Sequence, residues 1–265
     1  VDGVVEVEFE LVALTREAAQ PAQRDLDVAR AELPGVVVVL VGTLLPHLDG
    51  ALVLARAADA HKAGIPKAAL QLVVGGGDVG AALTGDIRIS GVVFTGSVPT
   101  AKAIARSLLA DDARPLVPLI AETGGLNAMI VDSTALSEQV VRDVIVSGFQ
   151  SAGQRCSALR LLLLQEDIAD HTLEMLAGAM DTLNVGDPAD PATDIGPVID
   201  RASYDKLMAY RASVRQRIVH SIPVPDTGLF VPPTVIRLDD IAELNSEWFG
   251  PLVHVATWKA GTLQE

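Results

Sequence analysis

Residues Gly35–Gly42 read GVVVVLVG, six consecutive apolar and mostly β-branched residues bracketed by glycines. A run this short cannot span a bilayer, which takes about 18 residues or more. It is also too uniformly apolar for a strand with one wet face, so it reads as a strand buried on both sides, the position a helix-covered sheet provides. Composition agrees. Hydrophobic residues make up 49% of the chain but aromatics only 3%, so the interior is built of Val, Ala and Leu. The expected class is α/β, and 265 residues are enough for two domains or one large unit with an ample core. A mean hydropathy of +0.37 is high for a soluble chain and implies apolar surface covered by a partner or by further chain.

Around this strand the pattern alternates between periods. VVEVEFELVAL (Val4–Leu14) alternates apolar and acidic residues, the mark of a half-buried strand. Leu48–Ala63 repeats at helical spacing until GIP (Gly64–Pro66) ends it. ALQLVVGGG and GVVFTGS are each a strand running into a glycine turn, and PTAKAIARSLLA is a helix with Pro99 in its first turn. This is a βαβ series. PLVPLIAETGG and NAMIVD supply two more strands, followed by a helix from about Glu138 to Ser151. ALRLLLLQ is a strand, IADHTLEMLAGAMDTL a helix, and VGDPADPATDIGPVID a Pro/Asp-rich loop leading to a helix through Tyr204–Arg215. A change of composition near Glu122 divides the chain into 1–121 and 122–265.

Charge narrows the function. Twenty basic against thirty-four acidic side chains give a net charge of −14, which opposes binding to nucleic acid or to anionic membranes. One cysteine cannot form an internal disulfide, and neither a signal peptide nor a membrane-spanning run is evident, which fits a cytoplasmic protein.

That cysteine, Cys156, lies in GFQSAGQRCSALR (Gly148–Arg160). A lone thiol is commonly inert packing. Here its neighbours Gly153, Gln154, Arg155, Ser157 and Ala158 are small or polar, which suits an open loop where a carbonyl can reach the sulfur. Arg155 either lends charge to the thiol or points to solvent. GGGDVG (Gly75–Gly80) matches the G-x-G-x-x-G turn that sets backbone N–H groups against a pyrophosphate, although only Asp86 offers the acidic residue expected further on. In FTGS (Phe94–Ser97), Gly96 permits close backbone approach, and Ser97 either caps the next helix alone or also meets a phosphate. ETGG (Glu122–Gly125) puts a carboxylate at a strand end, where partial desolvation would suit a general base.

FTGS, ETGG, GQRCSA and EWFGP (Glu247–Pro251), in this order and with Glu122 and Cys156 separated by 156 − 122 = 34 residues, resemble the aldehyde dehydrogenase superfamily. PLIAETGGLNAMIVDSTALSEQVV, SAGQRCSALR, LQEDIAD and TDIGPVID are similar to the L-glutamate γ-semialdehyde dehydrogenase branch, the pyrroline-carboxylate dehydrogenase region of bifunctional proline utilization proteins. The resemblance runs from about Leu48 to Val255 and is most specific between Ile120 and Asp200. It implies a partial Rossmann-like dinucleotide-binding domain over 1–121, with 1–47 unmatched, and an α/β catalytic domain over 122–265 that is C-terminally truncated. It implies NAD, or NADP, as cofactor, a small aldehyde as substrate, and no metal. Cys156 would attack the aldehyde and Glu122 would activate water to hydrolyse the resulting thioester. The backbone N–H of Cys156 would hold the oxyanion. Gly96 and Ser97 would contact the cofactor pyrophosphate, Glu247 the nicotinamide ribose and Phe249 the nicotinamide, while Ser157 would meet the substrate carboxylate.

The chain departs from the family pattern upstream, where an oxyanion asparagine and an adenosine-ribose lysine are lacking, and downstream, where the substrate-anchoring loop and terminal β-flap are absent. The stretch between Arg217 and Phe230 is also short. These departures imply impaired oxidation of glutamate γ-semialdehyde unless a homo-oligomer or a partner domain supplies the missing segments. The competing expectation is a non-catalytic, structural or interaction module of the same ancestry.

Overall fold

In the computed structural model, the residues described are 10–16, 36–42, 58–59, 61–65, 70–74 and 76–262. They fall into two compact units, one running to Thr123 and the other from Gly124 onward.

The first unit holds five strands: β1 (Glu10–Arg16), β2 (Val36–Gly42), β3 (Leu70–Val74), β4 (Ile89–Gly96) and β5 (Leu119–Thr123). Their order in the sheet is β3-β2-β1-β4-β5. β2–β3 and β4–β5 are parallel pairs, whereas β1 is antiparallel to both of its neighbours. The sheet is therefore mixed, not the purely βαβ series expected. The alternating apolar and acidic residues leading into β1 fit this, since one wet face is the habit of antiparallel strands. The expected helix over Leu48–Ala63 lies largely outside the described residues; 58–59 and 61–62 are helical, and Gly64 follows at φ 98°, where an L side chain is disfavoured.

Two helices follow the glycine turns, α1 (Gly77–Gly85) and α2 (Val98–Leu108). In α2, Ala101, Ile104 and Leu108 recur on one face and pack with Ile89, Val92 and Phe94 of β4. Ser97 caps this helix by accepting the N–H of Thr100 at 3.3 Å, and Pro99 sits in the first turn as its fixed φ allows. Buried Arg114 donates to the carbonyls of Thr84, Asp86 and Ile89, tying the end of α1 to the start of β4.

The second unit is a five-stranded sheet ordered β6 (Ala128–Val131), β7 (Leu161–Gln165), β10 (Leu252–Trp258), β9 (Thr234–Arg237) and β8 (Ile218–Ser221). All neighbours are parallel except edge strand β8. The continuous apolar run of β7 is explained by its place inside the sheet, with Leu162 and Leu164 fully buried. Helices α3 (Ser137–Phe149), α4 (Glu166–Met180) and α5 (Arg201–Ser213) pack over it. Val144, Phe149, Leu176 and Met180 join Ile236, Leu252 and Val253 in the core. Asp200 starts α5 by accepting the N–H of Ser203 at 2.6 Å, and the helix ends at Ser213, before the expected Arg215.

Candidate active site

The cysteine loop begins where α3 ends. Ser151, Ala152 and Gly153 follow with φ of 54°, 52° and 65°, three successive left-handed residues. For the two that carry a Cβ this costs about 1–2 kcal/mol each, so surrounding contacts must hold the turn. A Cβ on Gly153 would strike the carbonyl of Gly250, which shows how closely the two backbones meet. Gln154 bridges outward: its Oε1 accepts the N–H of Ile199 at 2.8 Å and its Nε2 donates to the carbonyl of Pro197 at 3.3 Å. Asn127, just before β6, donates its Nδ2 to the carbonyls of Cys156 (2.8 Å) and Ala158 (2.9 Å).

Held this way, Cys156 and Ser157 are exposed while Ala158 is buried. Among the described residues no protein group accepts the backbone N–H of Cys156. Arg155 is exposed to solvent, where its Nε bonds the Ser151 hydroxyl at 3.0 Å and its Nη2 reaches Gln150 Oε1 at 3.4 Å. The charge is turned back along the loop.

Past the cysteine loop lies a cluster whose centre, Arg160, sequence reading missed. The Arg160 side chain is fully buried. Its Nη1 donates to the Gly250 carbonyl and its Nη2 to the Arg155 carbonyl, each at 3.1 Å, and Nη2 also faces Glu247 Oε1 at 3.5 Å. The Phe249 ring lies 5.3 Å from the guanidinium carbon. Burial pulls the Arg160 pKa below its ordinary value, against the opposing charges of Glu247 and Cys156. The Glu247 carboxylate rests directly on the backbone of Gly124, where any Cβ would collide with it. Behind Arg160, buried His254 has Nδ1 at 3.0 Å from the Arg160 carbonyl and Nε2 at 2.8 Å from the Tyr210 hydroxyl. The carbonyl can only accept, so Nδ1 carries the proton and Nε2 accepts from Tyr210. Burial pushes the His254 pKa down to about 4. Tyr210 in turn stacks on Trp248, with ring centroids 3.6 Å apart.

In the first unit, parallel pairing sets Thr95 opposite Glu122 and Gly96 opposite Thr123, so FTGS and ETGG emerge side by side at the ends of β4 and β5. Glu122 is exposed, not desolvated as its strand-end position suggested. The Ser97 hydroxyl is taken up in capping, also lying 2.9 Å from the Thr100 hydroxyl. At the far end of α1 from the other glycine turn, Asp86 pairs with Arg88 at 2.6 Å and is held far below the usual carboxylate range by that hydrogen bond, so it is not a free ribose acceptor.

The sheets thus assemble two groups of the sequence-derived residues: Cys156, Ser157, Glu247 and Phe249 in the second unit, and Gly96, Ser97 and Glu122 in the first. Arg160, Asn127, His254 and Tyr210 were not anticipated. The one available signal for Arg160 was a cation opening the apolar run RLLLLQ.

This is the α/β fold of the aldehyde dehydrogenases. The sequence profile described as the aldehyde dehydrogenase family matches residues 44–264, and the chain belongs to that family. It is 49% identical over 218 residues to the bifunctional protein PutA of Escherichia coli K12, covering 77% of this chain and 16% of PutA. It is 36% identical over 206 residues to the 1-pyrroline-5-carboxylate dehydrogenase of Geobacillus thermodenitrificans, covering 74% of this chain and 40% of that protein. Among solved structures, a mutant of Bradyrhizobium japonicum proline utilization A superposes with a TM-score of 0.80 at 49% identity, over 86% of this chain and 23% of that one. A Staphylococcus aureus betaine aldehyde dehydrogenase in complex with NAD+ gives 0.76 at 28% identity, over 86% and 46%. The chain therefore spans about a sixth of the length of the PutA relative.

Proposed function

We propose that this chain carries the nucleophile and general base for NAD-dependent oxidation of L-glutamate γ-semialdehyde to L-glutamate, with 1–121 as the dinucleotide-binding part and 122–265 as the catalytic part. The observation that carries the reading is Cys156, exposed on a loop whose left-handed turn is held by Asn127, Gln154 and the Gly153–Gly250 contact. Inert packing would bury the thiol. The similarity to PutA and to a 1-pyrroline-5-carboxylate dehydrogenase supports the substrate.

Each unit carries residues suited to part of a dinucleotide. In the second, Glu247 offers a quarter-exposed carboxylate and Phe249, two residues on, a 39% exposed ring, both facing Arg160; in the first, the capped start of α2 after Gly96 and Ser97 presents the positive end of a helix dipole. Glu247 would take the ribose hydroxyls, Phe249 the nicotinamide face, and Gly96 with Ser97 the pyrophosphate. When bound, the nicotinamide accepts the hydride.

In the first step the Cys156 thiolate adds to the aldehyde carbon, and the carbonyl oxygen takes up the electron pair as an oxyanion against the free Cys156 N–H. Collapse of that thiohemiacetal with loss of hydride leaves a thioester on Sγ. Glu122 then removes a proton from water, whose oxygen attacks the thioester to release glutamate and regenerate the thiolate. Ser157, exposed next to Cys156 in the chain, would meet the distal carboxylate of the substrate. Two electrons leave as hydride, one water is consumed, and the cysteine returns unchanged. NADH formation with glutamate γ-semialdehyde, measured on the chain and on Cys156→Ala, tests the proposal. Impaired but measurable turnover in the first and none in the second is expected; equal rates overturn it and leave a structural module.

A further inference from the structure

We propose that the cleft formed by the last turns of α5 and the start of β8 binds a small amphipathic oxyanion, a carboxylate or phosphate head on an apolar body, with Arg211 and Arg215 taking the head and Met208, Ala212 and Ile218 the body. These five residues line a cavity of about 490 Å³, a volume typical of small-molecule sites. All five lie in the second unit, and none belongs to the cysteine loop or to EWFGP, so the inference does not depend on the reaction proposed above.

An arginine standing in water needs no partner, but Arg211 does not stand in water. It is half-buried, and its Nε donates to Thr234 Oγ1 at 2.9 Å while its Nη2 donates to Ser221 Oγ at 2.8 Å. Thr234 is itself fully buried and donates to the Pro232 carbonyl at 2.6 Å. The guanidinium is thus locked against β8 and β9 by neutral hydroxyls, and its Nη1 makes no hydrogen bond among the described residues. Burial pulls its pKa below the ordinary value with no carboxylate working against it, yet an arginine keeps its proton in a protein. Arg215, one turn further on, is exposed and has neither a hydrogen bond nor an ion pair among the described residues. The nearby charges are already matched: Arg217 by Glu243 and Asp239, His220 by Asp181, and Asp205 by Arg201. The negative end of the α5 dipole supplies about half a charge against two. Positive charge is left over at this one cleft of a chain whose net charge is −14. A guanidinium fixed along one edge presents the rest of its fork in a set direction, the geometry that recognises a carboxylate or phosphate, and Met208 and Ile218 add an apolar wall that a bare inorganic anion would not use.

The experiment is calorimetric titration of the chain at low ionic strength with phenyl phosphate, benzoate, inorganic phosphate and benzyl alcohol. Saturable binding of phenyl phosphate or of benzoate is expected, the tighter of the two naming the head group, with inorganic phosphate and the neutral alcohol each at least about tenfold weaker. Arg215→Gln is expected to weaken binding about tenfold, the worth of one charge-assisted hydrogen bond. Ala212→Glu, which sets a carboxylate on the cavity wall, is expected to abolish it, while Ala212→Gln, of the same size without the charge, largely keeps it. Ala212 is exposed, so neither change touches the core, and circular dichroism checks that both variants fold. Failure of both aryl anions to bind overturns the proposal, as does an alcohol or inorganic phosphate that binds as tightly. Binding that survives Ala212→Glu lies elsewhere on the chain, for instance at the start of α2, and overturns it too. Neither NAD nor aldehyde is used, so the outcome is independent of whether the chain forms NADH.

Discussion

The side-chain amide of Asn127 donates to the carbonyl of Cys156 at 2.8 Å and to that of Ala158 at 2.9 Å, so one residue before β6 holds the chain just past the thiol at two points. Two bonds from one neutral amide are worth about 1–2 kcal/mol together at a site water can partly reach. Asn127→Ala is expected to lower stability by that amount in urea unfolding. Asn127→Asp is expected to cost more, because an ionised carboxylate offers only acceptors to two carbonyl oxygens.

Gly124 and Gly153 both meet a neighbour where a Cβ would stand, with different consequences. A Cβ on Gly153 meets the Gly250 backbone and must also adopt φ 65°, so Gly153→Ala is expected to destabilise by more than about 2 kcal/mol. A Cβ on Gly124 meets only the end of the Glu247 side chain, which can rotate away. Gly124→Ala is expected to spare stability but to weaken NAD binding about tenfold, the worth of one displaced charge-assisted hydrogen bond. Calorimetric titration beside thermal unfolding separates the two outcomes.

His254 makes the fold sensitive to acid. Its folded pKa is depressed from an unfolded value near 6.5 to about 4, so the unfolded chain binds the extra proton first as pH falls. The stability that neutral His254 supplies is complete above pH 6.5 and is lost progressively toward pH 4. The difference corresponds to about 3 kcal/mol. Urea unfolding at pH 7, 6, 5 and 4 should show this slope, and His254→Gln should be less stable at pH 7 yet flatter across the same range.

Glu122 acts after hydride transfer in the proposed reaction, so Glu122→Gln is expected to retain a rapid stoichiometric burst of NADH and then turn over about 10²- to 10⁴-fold more slowly. Stopped-flow absorbance distinguishes this from a loss of the burst itself, which would assign Glu122 to an earlier step.

Elements whose signals are local were readable from the chain. The four leucines of β7 announce a buried strand, and Ser97 with Pro99 announces a helix start, because both depend on residues within a turn or a pleat of one another. The order FTGS, ETGG, GQRCSA and EWFGP likewise pointed to the family that matches residues 44–264. The antiparallel setting of β1 was less legible: alternation marks a half-wet strand without saying which neighbours it takes.

What the sequence by itself determined is therefore the inventory of chemistry: an open loop around one thiol, a strand-end carboxylate, two glycine turns and the Ser97 cap that follows one of them. What only the tertiary structure decided is which charges those groups share. Arg160 and Glu247 are 87 residues apart, and Gly124 meets Glu247 only because β6, β7 and β10 lie adjacent in one sheet. A residue's type and its near neighbours set what it can donate, accept or attack. Which carboxylate faces a buried guanidinium depends on the order in which distant strands pair, and no short-range pattern encodes that order.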